Sequence, residues 1–139
     1  GGMGYEGIVP SLGVEFDTYQ NGDYSDPAYD HVAIQYNGVL DHASIYNLDG
    51  PVQIIDGTAN AEDGSYHDVR ITWDADMGQF AVYVDCEYRV GFITEVFDVM
   101  LAVFGDDPEV YFGFTGGTGS LYNRGVRKHP VRARTPDCS

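Results

Sequence analysis

Short stretches in which apolar and polar residues alternate, separated by clusters of Gly, Asp, Asn, Ser and Pro, leave this chain few ways to fold. The alternation is clearest over residues 13–19, 31–36, 67–73, 80–84 and 109–115. Turn chemistry fills 21–30, Asn37-Gly38, 56–65, 74–78 and 116–120. The one helix candidate, 94–104, is β-branched and aromatic and reads as a buried strand with a flanking loop. Strands recurring without intervening helices specify an all-β antiparallel sandwich or barrel. At 139 residues the chain has room for one core. No repeat of domain-array length breaks it up, but after Asn123 it turns abruptly basic and Pro130 and Pro136 interrupt it. Residues 1–125 therefore read as the sandwich, and 126–139 as a basic closing strand with a frayed tail or linker.

Charge narrows the function classes. Seven Lys and Arg against 22 Asp and Glu give a net charge of −15, which repels phosphate backbones and excludes nucleic acid and anionic membranes as partners. The 22 acids less Asp137 leave 21 in residues 1–120, against Arg70 and Arg89 alone, so that body is net −19. Such an excess serves solubility or gathers carboxylates around divalent cations. The longest apolar runs, such as 80–84 and 99–104, fall far short of the roughly 18 to 20 residues a membrane-spanning helix needs. No basic and apolar leader opens the sequence, so any secretory signal was removed or lies upstream. Eleven Tyr with Asn and Gly suit the binding of flat hydroxylated ligands. Cys86 follows Asp85 at an expected hairpin turn and Cys138 is the penultimate residue; the two are either bridged or free.

The stretch 13–31 carries the chemistry. On a strand, Glu15, Asp17 and Tyr19 share one face while Val14, Phe16 and Thr18 take the other, so two carboxylates stand side by side and require a cation. The following loop adds Asn21, Asp23, Asp26 and Asp30, and the chain returns through His31. Oxygen ligands at roughly 2.3 to 2.6 Å suit Ca²⁺. A carboxylate cluster with one imidazole suits Mn²⁺ or another transition ion beside it. An EF-hand is excluded because the acids miss its alternate positions and no helices flank them. A solvated acidic turn remains open. For a sandwich-fold glycoside hydrolase the third carboxylate, the acid/base partner, is missing, since Tyr19 and Gln20 stand where a further Glu would act.

Glu15-x-Asp17-x-x-x-Asn21, Asp26-Pro27 and His31, with Tyr19 and the strand Val32-Ala33-Ile34, resemble the legume-type (L-type) lectins, most closely their bacterial relatives. The resemblance continues through His67-Asp68-Val69-Arg70-Ile71-Thr72-Trp73-Asp74, Phe80 to Asp85, and Tyr111-Phe112-Gly113-Phe114-Thr115-Gly116-Gly117-Thr118-Gly119, covering most of residues 1–123. It implies a concanavalin A-like jelly-roll sandwich with a twin metal site. Asp17 and Asp26 would bridge two ions; the Asn21 side chain and the Tyr19 carbonyl would complete Ca²⁺; Glu15 and His31 would complete a second position holding Mn²⁺ or another Ca²⁺. The metals would pin the loop so that the Asn21 amide and the Tyr19 ring face a sugar. Gly4 matches the glycine whose backbone N–H faces that sugar, and Gly119, Ser120, Leu121, Tyr122 and Asn123 match the variable specificity loop.

Two departures shape the expectation. The chain opens at Gly1-Gly2-Met3-Gly4, so the family's opening strands and the sugar-binding Asp upstream of the glycine turn are expected to be missing. Where the family has Asn-x-His before its last strand, Asn123 is followed by Arg124-Gly125. The leading expectation is a secreted or cell-surface, non-catalytic, Ca²⁺-dependent module that binds glycans or polysaccharide without inserting into membranes. It would act as a homo-oligomer or paired with an upstream segment or another chain. The alternative is an extracellular structural or adhesive module in which the metal site only stabilises the fold.

Overall fold

The computed structural model describes residues 2–94, 99–105 and 109–117. Six strands build it: β1 (Leu12–Asp17), β2 (His31–Tyr36), β3 (Asn47–Gln53), β4 (Val69–Asp74), β5 (Gln79–Val84) and β6 (Glu87–Ile93). They form two three-stranded antiparallel sheets, β1-β2-β3 and β4-β5-β6. Val32 and Ile34 of the first, with Ile54 just past β3, meet Val82, Val84 and Val90 of the second, flanked by Leu12, Val14, Phe16, Phe80 and Phe92. Each such aliphatic side chain taken from water is worth about 1.5 to 3 kcal/mol, and this interface is the core. The architecture is the all-β sandwich expected from the alternation. Among the described residues no helix is long and apolar enough to cross a membrane.

Two strands escaped the sequence pattern. β3 reads Asn-Leu-Asp-Gly-Pro-Val-Gln, full of residues that strands avoid, and its ladder with β2 shifts register on either side of Ile34. The Asp49 carboxylate accepts a hydrogen bond from the Gly91 N–H at 2.8 Å, tying β3 to β6 across the two sheets. β6 is interrupted by Gly91, where an added Cβ would collide with the Phe80 carbonyl, so the close approach of the neighbouring strand demands glycine. Asp85 and Cys86 both take positive φ, 49° and 71°, in the two-residue turn that closes the β5–β6 hairpin where the sequence placed a turn. Cys86 is disulfide-bonded; a pairing with Cys138 falls outside the described residues.

Two expectations are corrected. The run read as a buried strand over 94–104 instead holds a helix, α1 (Val99–Phe104). Val99 and Val103, one turn apart, are both buried while Leu101 is about half exposed, a helical spacing that the β-branched composition masked. Among the described residues, 109–115 form no strand: the segment 109–117 is exposed and carries no strand assignment. Alternation gives a segment the faces of a strand without fixing its backbone in a ladder. Here Thr115 Oγ1 instead donates to the Met3 carbonyl at 2.7 Å. The tail, 126–139, lies outside the described residues.

Candidate metal and ligand site

The site grows from the outer face of the first sheet. β1 pairs with β2 so that Gly13 faces Gln35, Glu15 faces Ala33 and Asp17 faces His31. While Val14, Phe16, Val32 and Ile34 turn to the core, these alternate residues turn outward, yet Glu15, Asp17, His31 and Gln35 are all buried. Tyr5 covers part of them: a Cβ on Gly13 would lie 3.0 Å from the Tyr5 ring, and Tyr5 donates its hydroxyl to Gln35 Oε1 at 2.7 Å.

The loop between β1 and β2 folds back over this face. Asp17 Oδ1 accepts from the Tyr19 N–H at 2.8 Å, and Asp26 Oδ2 accepts from the Asn21 N–H at 2.6 Å, so each acid also shapes the backbone beside it. Asn21 precedes a short 3₁₀ turn (Gly22–Tyr24) without capping it through its side chain. Ligand atoms of Asp17, Asp26 and His31 gather within 4.8 Å of one another, as do those of Glu15, His31 and His42. His42 comes from the β2–β3 connection, and no motif of the sequence pointed to it. Its Nε2 lies 2.9 Å from His31 Nε2, 3.4 Å from Asp26 Oδ1 and 3.8 Å from Glu15 Oε2.

Electrostatics mark this cluster as incomplete. The side chains of Glu15, Asp26, His31 and His42 are only 1–4% exposed, and Glu15 Oε2 has no hydrogen-bond partner among the described residues. Burial, reinforced by the charges of Asp17 and Asp26, pushes the Glu15 carboxyl up to about 8. Burial and then His42 push the His31 imidazole below its usual value, against the pull of Asp26 and Asp17. The Tyr5 hydroxyl is raised by burial and by Glu15 and Asp17. An orphaned buried oxygen, further carboxylates and two facing imidazole nitrogens form a donor set that a divalent cation satisfies.

The legume lectin domain profile matches residues 8–131, nearly the whole chain. The chain belongs to the legume lectin domain family. A curated relative, the galactose-binding lectin of Arachis hypogaea, is 30% identical over 122 residues; the match takes in 88% of this chain and 38% of that protein. Legume lectins generally bind metal ions, and the grouped donors on the outer face are where this member of the family has residues for one.

The remaining residues implied by the lectin resemblance divide three ways. Tyr19 is 70% exposed at the loop's edge and Asn21 is half-buried beside it. Gly4 has φ of +76° in the N-terminal turn next to Tyr5, and a Cβ there would come 2.9 Å from the Thr115 side chain. Gly119, Ser120, Leu121, Tyr122 and Asn123 lie outside the described residues. Two acids of the loop serve elsewhere: Asp23 is exposed, and Asp30 Oδ2 accepts from the Ala61 N–H at 2.7 Å, anchoring the 59–61 loop.

Proposed function

We propose that this domain binds carbohydrate, without catalysis, through loops held by Ca²⁺ and a second cation. The observation that carries the reading is the convergence of Glu15, Asp17, Asp26 and His31 under the irregular 18–30 loop, with a buried carboxylate oxygen of Glu15 left unpartnered. In this reading Asp17 and Asp26 bridge the ions, the Asn21 side chain and Tyr19 carbonyl complete Ca²⁺, and Glu15 and His31 serve the second ion, Mn²⁺ or another Ca²⁺. The sugar lies over Gly4, Tyr19 and Asn21, with 119–123 setting preference. Hydroxyls are held by hydrogen bonds and a C–H face stacks on the Tyr19 ring. A preformed, cation-ordered loop saves ordering entropy, and repeated modules supply avidity to a weak single site. The cation demand and acidic surface fit a secreted or cell-surface setting, with glycoproteins or polysaccharide as partners. The galactose specificity named for the Arachis relative makes galactose the first sugar to try.

One observation favours a second reading, in which the module assembles with copies of itself or another chain and the cation only stabilises the fold. By register Val69, Ile71 and Trp73 of β4 share the face of Val84, Val82 and Phe80, yet they remain 49%, 45% and 40% exposed. A glycan array containing galactosides, probed with the chain in Ca²⁺ and Mn²⁺ and then in EDTA, separates the two. Binding that vanishes with chelator and returns with Ca²⁺ is the expected result. No binding in either buffer, with self-association at rising concentration, puts the assembly reading first.

A further inference from the structure

The donor set differs from the one the sequence pointed to in a single residue, His42. It brings a second imidazole to the position where Glu15 and His31 meet. Its Nε2 is turned inward, 2.9 Å from His31 Nε2 and within 3.4–3.8 Å of Asp26 Oδ1 and Glu15 Oε2. Its other nitrogen is provided for as well. Nδ1 lies 3.2 Å from Asn47 Oδ1, and the Asn47 amide is oriented by donating to the Gly50 carbonyl at 2.8 Å. Gln35 Nε2 lies 3.1 Å from the same Nδ1 while donating to the Leu40 carbonyl at 2.9 Å. The ring therefore has an acceptor and a donor at Nδ1, a partner for either tautomer. Histidines that bind metals characteristically give their outer N–H to such carbonyl acceptors, which leaves the inner lone pair for the ion.

We propose that His42 is a direct ligand of the second cation, and that the paired imidazoles of His31 and His42 make this position selective for Zn²⁺ or a similar borderline ion over Mn²⁺ and Ca²⁺. The inference rests on the cation-site reading above and sharpens it. Carboxylates, carbonyls and water suit Ca²⁺ and Mn²⁺; each imidazole that replaces an oxygen donor moves preference toward Zn²⁺, Ni²⁺ and their neighbours. Asn47 and Gln35 act as positioning residues, through His42.

The test uses the full chain, stripped of metal and titrated by calorimetry with Zn²⁺, Mn²⁺ and Ca²⁺ separately and in competition. Wild type is expected to prefer Zn²⁺ to Mn²⁺ at the second position by at least about tenfold. His42→Ala should weaken Zn²⁺ by about a hundredfold and leave Mn²⁺ within about threefold, so the preference collapses. X-ray absorption of wild type loaded with one equivalent of Zn²⁺ needs no variant and should show two imidazoles at the ion. One imidazole, or equal affinity for Zn²⁺ and Mn²⁺ in wild type, overturns the role of His42 while leaving the cation site standing. A wild-type chain that binds none of the three ions overturns the cation site and this inference together. If His42→Ala does not fold, the absorption measurement decides.

Discussion

Two clusters of histidine and carboxylate lie among the described residues, and their charges are treated in opposite ways. Beside the turn of the β5–β6 hairpin His67 sits between two acids, its Nδ1 2.6 Å from Asp85 Oδ2 and its Nε2 3.3 Å from Asp63 Oδ1. Both carboxylates are about half exposed. There the hydrogen bond to Asp85 raises the His67 imidazole, and the same bond lowers Asp85; the Ser65 N–H, then His67, lowers Asp63. Every group is held in its charged form by a partner or by water. Under the 18–30 loop the directions reverse, with Glu15 pushed up and His31 pushed down, both chiefly by burial. The residue types are nearly the same. What differs is burial: the cluster under the loop is shut off from water with a carboxylate oxygen of Glu15 unpartnered, so its groups shift toward their neutral forms and leave a donor set that a divalent cation could fill.

The strongest way to break this comparison is Asp17→Ala. Wild type should melt at a markedly higher temperature in Ca²⁺ with Mn²⁺ than in EDTA, because an ion bound at a hundred times its dissociation constant adds about 2.7 kcal/mol. The variant loses a bridging ligand, so its melting temperature should be low and the same in both buffers, and its sugar binding should vanish. A variant that keeps the chelator response would mean that the ion sits elsewhere.

Glu15→Gln sharpens the contrast because its effect should change sign with the buffer. In EDTA it removes a buried carboxylate whose Oε2 has no partner, and the protein should gain about 1 to 3 kcal/mol. In metal buffer it removes an anionic ligand, so the second ion should bind at least about tenfold more weakly by calorimetry. Destabilisation of equal size in both buffers would show Glu15 to be held by ordinary packing.

How much of this was legible follows from what each signal depends on. β1, β2 and β5 announce themselves, since Val14-Glu15-Phe16-Asp17 and His31 to Tyr36 alternate and end in turn residues. The paired carboxylates of Glu15 and Asp17 follow from that alternation alone. β3 does not, because Asp49, Gly50 and Pro51 oppose strand formation and contacts from elsewhere, the neighbouring β2 and the Asp49 to Gly91 bond among them, hold it there. His42 was invisible for the same reason. It is a lone histidine in a turn, eleven residues beyond His31, and its inward aim depends on Asn47 and Gln35, which meet it only in three dimensions. Local chemistry can be read along a strand; a donor set assembled from separate connections cannot.

The smallest expected effect tests the exposed side of the comparison. The His67 imidazole is raised above its ordinary 6.5 by its acids, so its contribution to stability is fully present below about pH 6.5 and is lost as the pH climbs through the higher folded value. Asp85 is lowered below 3.8, so its share is present above that value and is lost only as the pH falls through the folded one. The wild type should therefore exceed His67→Ala most clearly between about pH 4 and 6.5. The margin should be under about 1 kcal/mol, because water screens a half-exposed pair, and it should shrink toward nothing in alkaline buffer and in high salt. Denaturant melts across that range measure it. Since His67 touches no residue of the buried cluster, the same difference should appear in Ca²⁺ and in EDTA. A His67→Ala variant whose chelator response also changed would show that the two clusters are coupled through the sandwich and that the division between them is wrong.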